Sequence, residues 1–111
     1  MPDTVLPETD AQKTVRIGRA IGLDVTMDVC PIIDVPGNTG QFFHPWCDAT
    51  DAATFLAAWC KHRGVLANVT YDCHNEGVWG WGVHLPVIKD PHWHAQLAPA
   101  IYAAVCAAEG G

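Results

Sequence analysis

The stretch Ala67–Leu85, ANVTYDCHNEGVWGWGVHL, predicts a β-hairpin around which the rest of the chain is organised. Apolar and polar side chains alternate along its first arm, which is the two-residue period of a strand. One face of that arm carries Ala67, Val69, Tyr71 and Cys73, and the other carries Asn68, Thr70, Asp72 and His74. The second arm alternates in the same way, with Trp79, Trp81, Val83 and Leu85 on one face.

The length of the turn decides which faces of the two arms meet, because a slip of one residue moves every side chain to the opposite face. A two-residue turn, Glu76-Gly77, would place the tryptophans on the polar face of the first arm. A three-residue turn over residues 75–77, with Gly77 in the left-handed conformation, pairs Tyr71 with Trp81 instead. This register also pairs Cys73 with Trp79 and Val69 with Val83. We adopt it because it buries one continuous apolar face.

Three helices are predicted from capping residues and apolar periodicity. The first begins at Thr9 or Asp10 and runs to Ala20. The second begins at Asp48 or Thr50 and ends at Gly64, which is suited to a left-handed C-cap. The third runs from about His94 to Ala108, with Pro99 in its first turn, where a missing N–H is harmless.

The segments between these elements are less regular. Residues 23–35 predict a strand that is short or at an edge, because Pro31 cannot donate to a ladder. Residues 36–47 predict a long loop that begins with the turn residues Pro36 and Gly37. We expect the aromatic side chains of this loop, Phe42, Phe43 and Trp46, to fix it to the core. The predicted fold class is therefore α+β, a small antiparallel sheet built on the central hairpin and covered by about three helices. We expect a loose arm at residues 1–10 and a single domain at 11–111.

Charge narrows the class of partner. The chain of 111 residues has a net charge of −6. Residues 1–51 contain eight acidic and three basic residues, which gives −5, so the negative charge is concentrated there. Six dispersed basic residues do not suit the phosphate backbone, so we expect no direct nucleic-acid binding. A basic protein surface is the better match, and Asp24, Asp28 and Asp34 are the predicted acidic surface.

No leader or membrane segment is recognisable. The chain opens Met-Pro-Asp, and no apolar run approaches the ~20 residues of a membrane span. Five cysteines, an odd number, are typical of reduced thiols in an intracellular protein. We therefore expect a cytoplasmic protein that does not bind a membrane.

Three segments resemble the phage ABA sandwich domain of small phage and prophage proteins. They are PWCDATDAATFLAAW, the hairpin VTYDCHNEGVWGWGV and the alanine-rich LAPAIYAAVCAA, and the resemblance covers residues 11–108. The aromatic loop at 36–47 and the HWH insertion at 92–94 depart from it. The resemblance implies a phage or prophage gene product with no established catalytic residues. We expect no cofactor, and a bacterial host cell as the place where the protein acts.

Motifs for catalysis or metal binding are weak. The chain contains no serine and no Cys-x-x-Cys pair, and its glycines do not form a phosphate loop. We expect no metal site, although His92 and His94 could supply two ligands from a loop. Asp72 and His74 share a strand face and could act as acid and base, with a solvated strand face as the simpler interpretation. Gly80 and Gly82 opposite them would let another molecule approach closely.

Two further segments combine aromatic rings with imidazoles. They are His44-Pro45-Trp46 in the predicted loop and His92-Trp93-His94 before the third helix. Exposed tryptophans are enriched where proteins meet partners. Trp93 is therefore either an exposed anchor or a lid folded back over the sheet, and the sequence does not distinguish the two.

Three functions follow from these features. The first is a non-enzymatic accessory protein that binds and inhibits a host factor, for example a component of antiviral defence, as an anti-CRISPR protein does. The second is a small-ligand protein that sequesters a nucleotide, with Trp46 or Trp93 stacked on the base. The third is a small metal-assisted hydrolase using His92, His94 and Asp72. We predict the first, acting through the acidic surface and with Trp93 as its aromatic anchor, and leave open whether the chain forms a homo-oligomer.

Overall fold

Three helices and two three-stranded antiparallel sheets make up the described part of the chain. The computed structural model describes residues 8–35, 38–75, 77–89 and 91–110. The helices are α1 (Asp10–Ala20), α2 (Ala49–Arg63) and α3 (Leu97–Ala108). One sheet contains β1 (Val25–Met27), β2 (Pro31–Val35) and β3 (Asn38–Phe42), and the other contains β4 (Asn68–Asn75), β5 (Val78–His84) and β6 (His92–His94). The predicted α+β class is confirmed.

The starts of α1 and α2 are fixed by the predicted capping residues. The Thr9 hydroxyl accepts the Gln12 N–H at 3.1 Å, and Gln12 Oε1 accepts the Thr9 N–H at 3.0 Å, which is a capping box. Asp48 caps α2 by accepting the Asp51 N–H at 3.0 Å, and Gly64 ends it at a φ of 67°. Of the predicted arm at 1–10, residues 1–7 lie outside the described residues, whereas Thr9 and Asp10 belong to the start of α1.

The predicted start of α3 is wrong. The helix begins at Leu97 rather than at His94, because residues 92–94 form β6 and extend the hairpin sheet. Gln96 is the N-cap, and Pro99 lies in the first turn as expected.

The predicted hairpin register is confirmed. Tyr71 pairs with Trp81, Cys73 with Trp79 and Val69 with Val83. Gly77 has a φ of 85°, the left-handed conformation that the three-residue turn requires. Glu76, within that turn, lies outside the described residues.

The first sheet occupies segments where the sequence predicted one strand and a loop. β3 lies within the predicted loop at 36–47, although Pro36 and Gly37 themselves fall outside the described residues. β2 is the central strand of its sheet, and Pro31 is its first residue, a position where no N–H is needed. The expectation that aromatic residues fix this segment to the core holds for the fully buried Phe43 but not for the exposed Phe42.

The hydrophobic core draws on all three helices and both sheets. Trp59, Phe43 and Phe55 are its largest fully buried side chains. α3 packs against α2, β5 and β6, so it covers the base of the hairpin, where Val83 and Leu85 are buried. Within the described chain no helix packs extensively against β4. β4 is therefore left without an extensive helical cover.

Candidate functional site

The hairpin presents a largely exposed cluster of side chains, which we call the aromatic face: the rings of Tyr71 (β4), Trp79 and Trp81 (β5), and the neighbouring Val69 of β4. The ring centroids of Tyr71 and Trp81 are 4.7 Å apart, and those of Tyr71 and Trp79 are 5.7 Å apart. Tyr71 is 53% exposed and Trp79 is 55% exposed, whereas Trp81 is partly buried against the core. The prediction that the whole face is buried is therefore wrong for Val69, Tyr71 and Trp79.

The exposure follows the edge strand β4 rather than only the far end of the hairpin. Val69 is 39% exposed although its partner Val83, at the base of the hairpin, is fully buried. α3 packs against β5 and β6, whereas no helix of the described chain packs extensively against β4. Alternation in the sequence identifies which side chains share a face, but it contains no information on which strands a helix covers.

Strand β6 pairs with β5 and adds two histidines to the aromatic face. His94 pairs with Trp81 and His92 pairs with Val83, so the two histidines share the face of their partners. The Nδ1 atom of His94 accepts the Gln96 N–H at 3.0 Å, which leaves Nε2 to carry the proton of the neutral ring. A row of Tyr71, Trp81 and His94 therefore crosses all three strands.

On the opposite face of the sheet, the chain covers Gly80 but not its polar neighbours. Asp72 pairs with Gly80 and Thr70 pairs with Gly82, as predicted, and both polar residues are exposed. The Trp93 indole lies against Gly80, however, and its Nε1 atom is inaccessible to solvent. Of the two interpretations of Trp93, the structure shows the lid rather than the exposed anchor. The expected close approach of another molecule at Gly80 is therefore wrong, and the side chain of His74 lies outside the described residues.

The predicted patch at His44 and Trp46 is a packing cluster. His44 stacks on Phe42 with centroids 6.1 Å apart, and Trp46 lies 5.1 Å from His44 and 6.2 Å from Tyr102. Both His44 and Trp46 are partly buried. The His44 N–H donates to Asp51 Oδ2 at 2.8 Å; burial raises the pKa of Asp51, and this hydrogen bond opposes the rise. These residues hold the segment before α2 in place.

The three predicted acidic residues are all exposed on the first sheet, but only two of them lie together. The Asp34 N–H donates to the Asp24 carbonyl at 3.4 Å, across the ends of β1 and β2. Asp34 Oδ1 also accepts the Gly40 N–H at 2.8 Å. Asp28 follows β1 at its other end, about 13 Å along the strand from Asp24.

The residues proposed for metal-assisted hydrolysis do not meet. His92 and His94 share the aromatic face, whereas Asp72 lies on the opposite face of the sheet. Nowhere in the described chain do three or more His, Cys, Asp or Glu side chains form a group that could hold a metal ion. That folding requires no metal stays a prediction.

Other candidate groups are poorly suited to catalysis. Burial raises the pKa of the Cys106 thiol to about 11 and also raises that of Cys60, which disfavours the nucleophilic thiolate. A pocket of about 440 Å³ contains none of the predicted site residues. It is lined by Ile21, Gly22, Leu23, Ala58, Lys61 and His62.

The chain matches no protein-family model, and comparison with curated proteins and with solved structures finds no significant similarity. Among the described residues, no helix combines the length and the apolar character that crossing a membrane requires.

Proposed function

We propose that this protein is a non-enzymatic phage or prophage accessory protein that binds and inhibits a host protein in the bacterial cytoplasm, with the aromatic face as its anchor. The observation that supports this most directly is the exposure of Tyr71 and Trp79. Large aromatic rings left in water cost free energy that burial in a complex recovers, at about 25 cal/mol per Å² of apolar surface. Such rings are also the residues most often found as interface hot spots.

The rings of Tyr71 and Trp79 are held in place by the strands that carry them, which favours tight binding. Tyr71 and Trp79 lie on paired strands and contact each other, so little side-chain freedom remains to be lost on association. The antiparallel ladder fixes their spacing. Trp79 is the anchor in place of the predicted Trp93, because Trp93 covers Gly80.

Electrostatics favour a basic protein as the partner. The net charge of −6 attracts a positive surface, and Asp24, Asp28 and Asp34 are all in solvent. Such attraction raises the rate of encounter more than it tightens the final complex. A target that itself handles nucleic acid, such as a component of antiviral defence, has a surface of this kind.

The nucleotide-binding alternative is less favoured, because the two tryptophans predicted to stack on the base are packed within the protein. Trp46 is packed against His44 and Tyr102, and Trp93 is packed against Gly80. β4, β5 and β6 contain no lysine or arginine, so the aromatic face has no cation from its own strands for a phosphate. Stacking alone would not distinguish a nucleotide from other planar molecules.

The test compares two exposed aromatic residues on different sheets. Trp79→Ala removes an anchor from the aromatic face, and the matched control Phe42→Ala removes a ring that is 66% exposed on the first sheet. The host protein is first identified by capture on the immobilised full chain, and its affinity for each variant is then measured by titration. We expect Trp79→Ala to weaken binding at least ~20-fold, corresponding to about 2 kcal/mol, and Phe42→Ala to leave it nearly unchanged. Equal losses in both variants, or turnover of a substrate by the purified chain, would contradict the proposal.

A further inference from the structure

We propose that β4 is a pairing edge for a second copy of this chain, so that two hairpin sheets join into one antiparallel sheet of six strands with its two-fold axis at Tyr71. The inference goes beyond the proposed function and does not depend on a host protein. It rests on the length and exposure of β4 and on the registers that its sequence permits.

β4 is an unusually open edge strand. It is the terminal strand of its sheet, and residues 68–73 are all exposed. Its sequence, NVTYDCHN, contains no proline, lysine or arginine, which are the residues that commonly protect an edge from pairing. The other edges are shorter: β1 and β6 contain three residues each, and β3 contains five. β4 is therefore the edge with the most backbone available for a second strand.

Symmetry limits the registers in which two β4 strands can pair. In an antiparallel pair, a two-fold axis normal to the sheet passes between a residue and its own copy. Because β4 spans residues 68–75, axes at Tyr71 or at Asp72 pair the greatest number of residues. An axis at Asp72 would place two carboxylates directly opposite each other, which is destabilising.

The axis at Tyr71 removes this conflict. Asp72 then lies opposite Thr70 of the second copy, whose hydroxyl can donate to the carboxylate. Tyr71 meets its own copy, and Val69 lies opposite Cys73. Aromatic and apolar cross-strand pairs of this kind stabilise a sheet. The avoidance of carboxylate repulsion and the pairing of apolar side chains therefore select the same register.

The second copy would enlarge the aromatic face. The two Tyr71 rings would lie at its centre, with one Trp79 on each side, so each chain contributes half of a continuous surface. The dimer also has a distinct response to salt. Two chains that each carry −6 repel one another, so added salt should strengthen self-association, whereas it should weaken a complex with a basic protein.

The first experiment is sedimentation equilibrium of the purified full chain and two variants. Tyr71→Lys places two ammonium groups opposite each other at the axis, whereas Thr70→Lys places one opposite Asp72. Each variant adds one positive charge, so the change in overall repulsion is the same. We expect the wild-type chain to dimerise, the dimer dissociation constant to rise at least tenfold in Tyr71→Lys, and no weakening in Thr70→Lys. A chain that stays monomeric to millimolar concentration, or equal weakening in both variants, would overturn the proposal.

A disulfide trap tests the register without depending on the fold of a lysine variant. In Val69→Cys, the new thiol lies opposite Cys73 of the second copy, within the Cα separation of 4.4–6.8 Å that a disulfide needs. In the wild-type chain the two Cys73 residues are offset by four positions, about 13 Å, which is too far. We expect mild oxidation to give a disulfide-linked dimer through residues 69 and 73 only in the variant. A Cys73–Cys73 bond in the wild-type chain would overturn the register. Because no host protein is present in either experiment, failure here would leave the host-binding proposal to its own test.

Discussion

At the scale of single residues, Gly80 determines whether the Trp93 indole can pack against the hairpin sheet. A methyl group at this position would lie 2.8 Å from the carbonyl oxygen of His94 and closer still to the Trp93 indole. The absence of a side chain therefore allows Trp93 to cover this position, while Asp72 beside it stays exposed. At Gly82 an added methyl would meet only the Thr70 hydroxyl oxygen, at 3.2 Å.

This difference predicts effects of different size on stability for two similar substitutions. Both Gly80→Ala and Gly82→Ala reduce the freedom of the unfolded chain equally, so that contribution cancels in the comparison. We expect Gly80→Ala to lower the free energy of unfolding by about 1–3 kcal/mol through overpacking. Gly82→Ala should change it by less than ~1 kcal/mol, because the exposed Thr70 side chain can move aside. Urea unfolding of both variants measures this, and equal midpoints would show that Trp93 does not occupy the position described.

At the scale of secondary-structure elements, one carboxylate joins the ends of α2 and α3. Glu109 Oε2 accepts the indole N–H of Trp59 at 2.8 Å, and the Nε and Nη2 groups of Arg63 at 3.0 and 2.8 Å. Desolvation alone would raise the pKa of Glu109. The hydrogen bonds from Arg63 and Trp59 outweigh it and hold that pKa below its ordinary value of 4.5.

The junction therefore has a predictable dependence on pH. Because the pKa of Glu109 is lowered by folding, its contribution to stability is present above pH 4.5 and is lost as pH falls through the folded-state value. We expect Glu109→Ala to cost about 2 kcal/mol at pH 7, since the buried Trp59 indole loses its acceptor. Glu109→Gln, which keeps an acceptor but not the charge, should cost less. Urea unfolding at pH 7 and pH 3 should show the Gln variant approaching the wild-type chain at the lower pH, and a difference that does not change with pH would contradict this.

The elements also show which features of the fold are readable from sequence. The limits of α2 and the hairpin register depend on local signals, namely the cap at Asp48 and the left-handed glycines at 64 and 77, and these were predicted correctly. β3 and β6 contain five and three residues, too few for a period to be recognised, and each forms only because a neighbouring strand pairs with it. The same reason explains the misplaced start of α3. Residues 92–94 lie close to the helix in sequence, but they pair with β5 in the structure.

At the scale of the whole molecule, the acidic and aromatic features lie on different sheets. Asp24 and Asp34 meet in the first sheet, whereas Tyr71 and Trp79 lie in the second. The sequence predicted the acidic residues and their exposure, but it assigned the anchor to Trp93 and the hairpin rings to the core. Exposure of Tyr71 and Trp79 depends on which strands the helices cover, which is a property of the assembled molecule. Substitutions can therefore change the electrostatic attraction from the acidic residues without changing the aromatic anchor, and the reverse.

The central claim is that the aromatic face is open in the single chain and covered in the complex with a host protein. Hydroxyl-radical footprinting with mass spectrometry reports side-chain accessibility at each aromatic residue. In dilute, monomeric protein we expect fast oxidation of Tyr71 and Trp79, with Trp59 protected because it is fully buried. On binding the captured host protein, Tyr71 and Trp79 should become protected while Phe42 continues to react. Slow oxidation of Tyr71 and Trp79 in the monomer, or no change at these residues in the complex, would contradict the account.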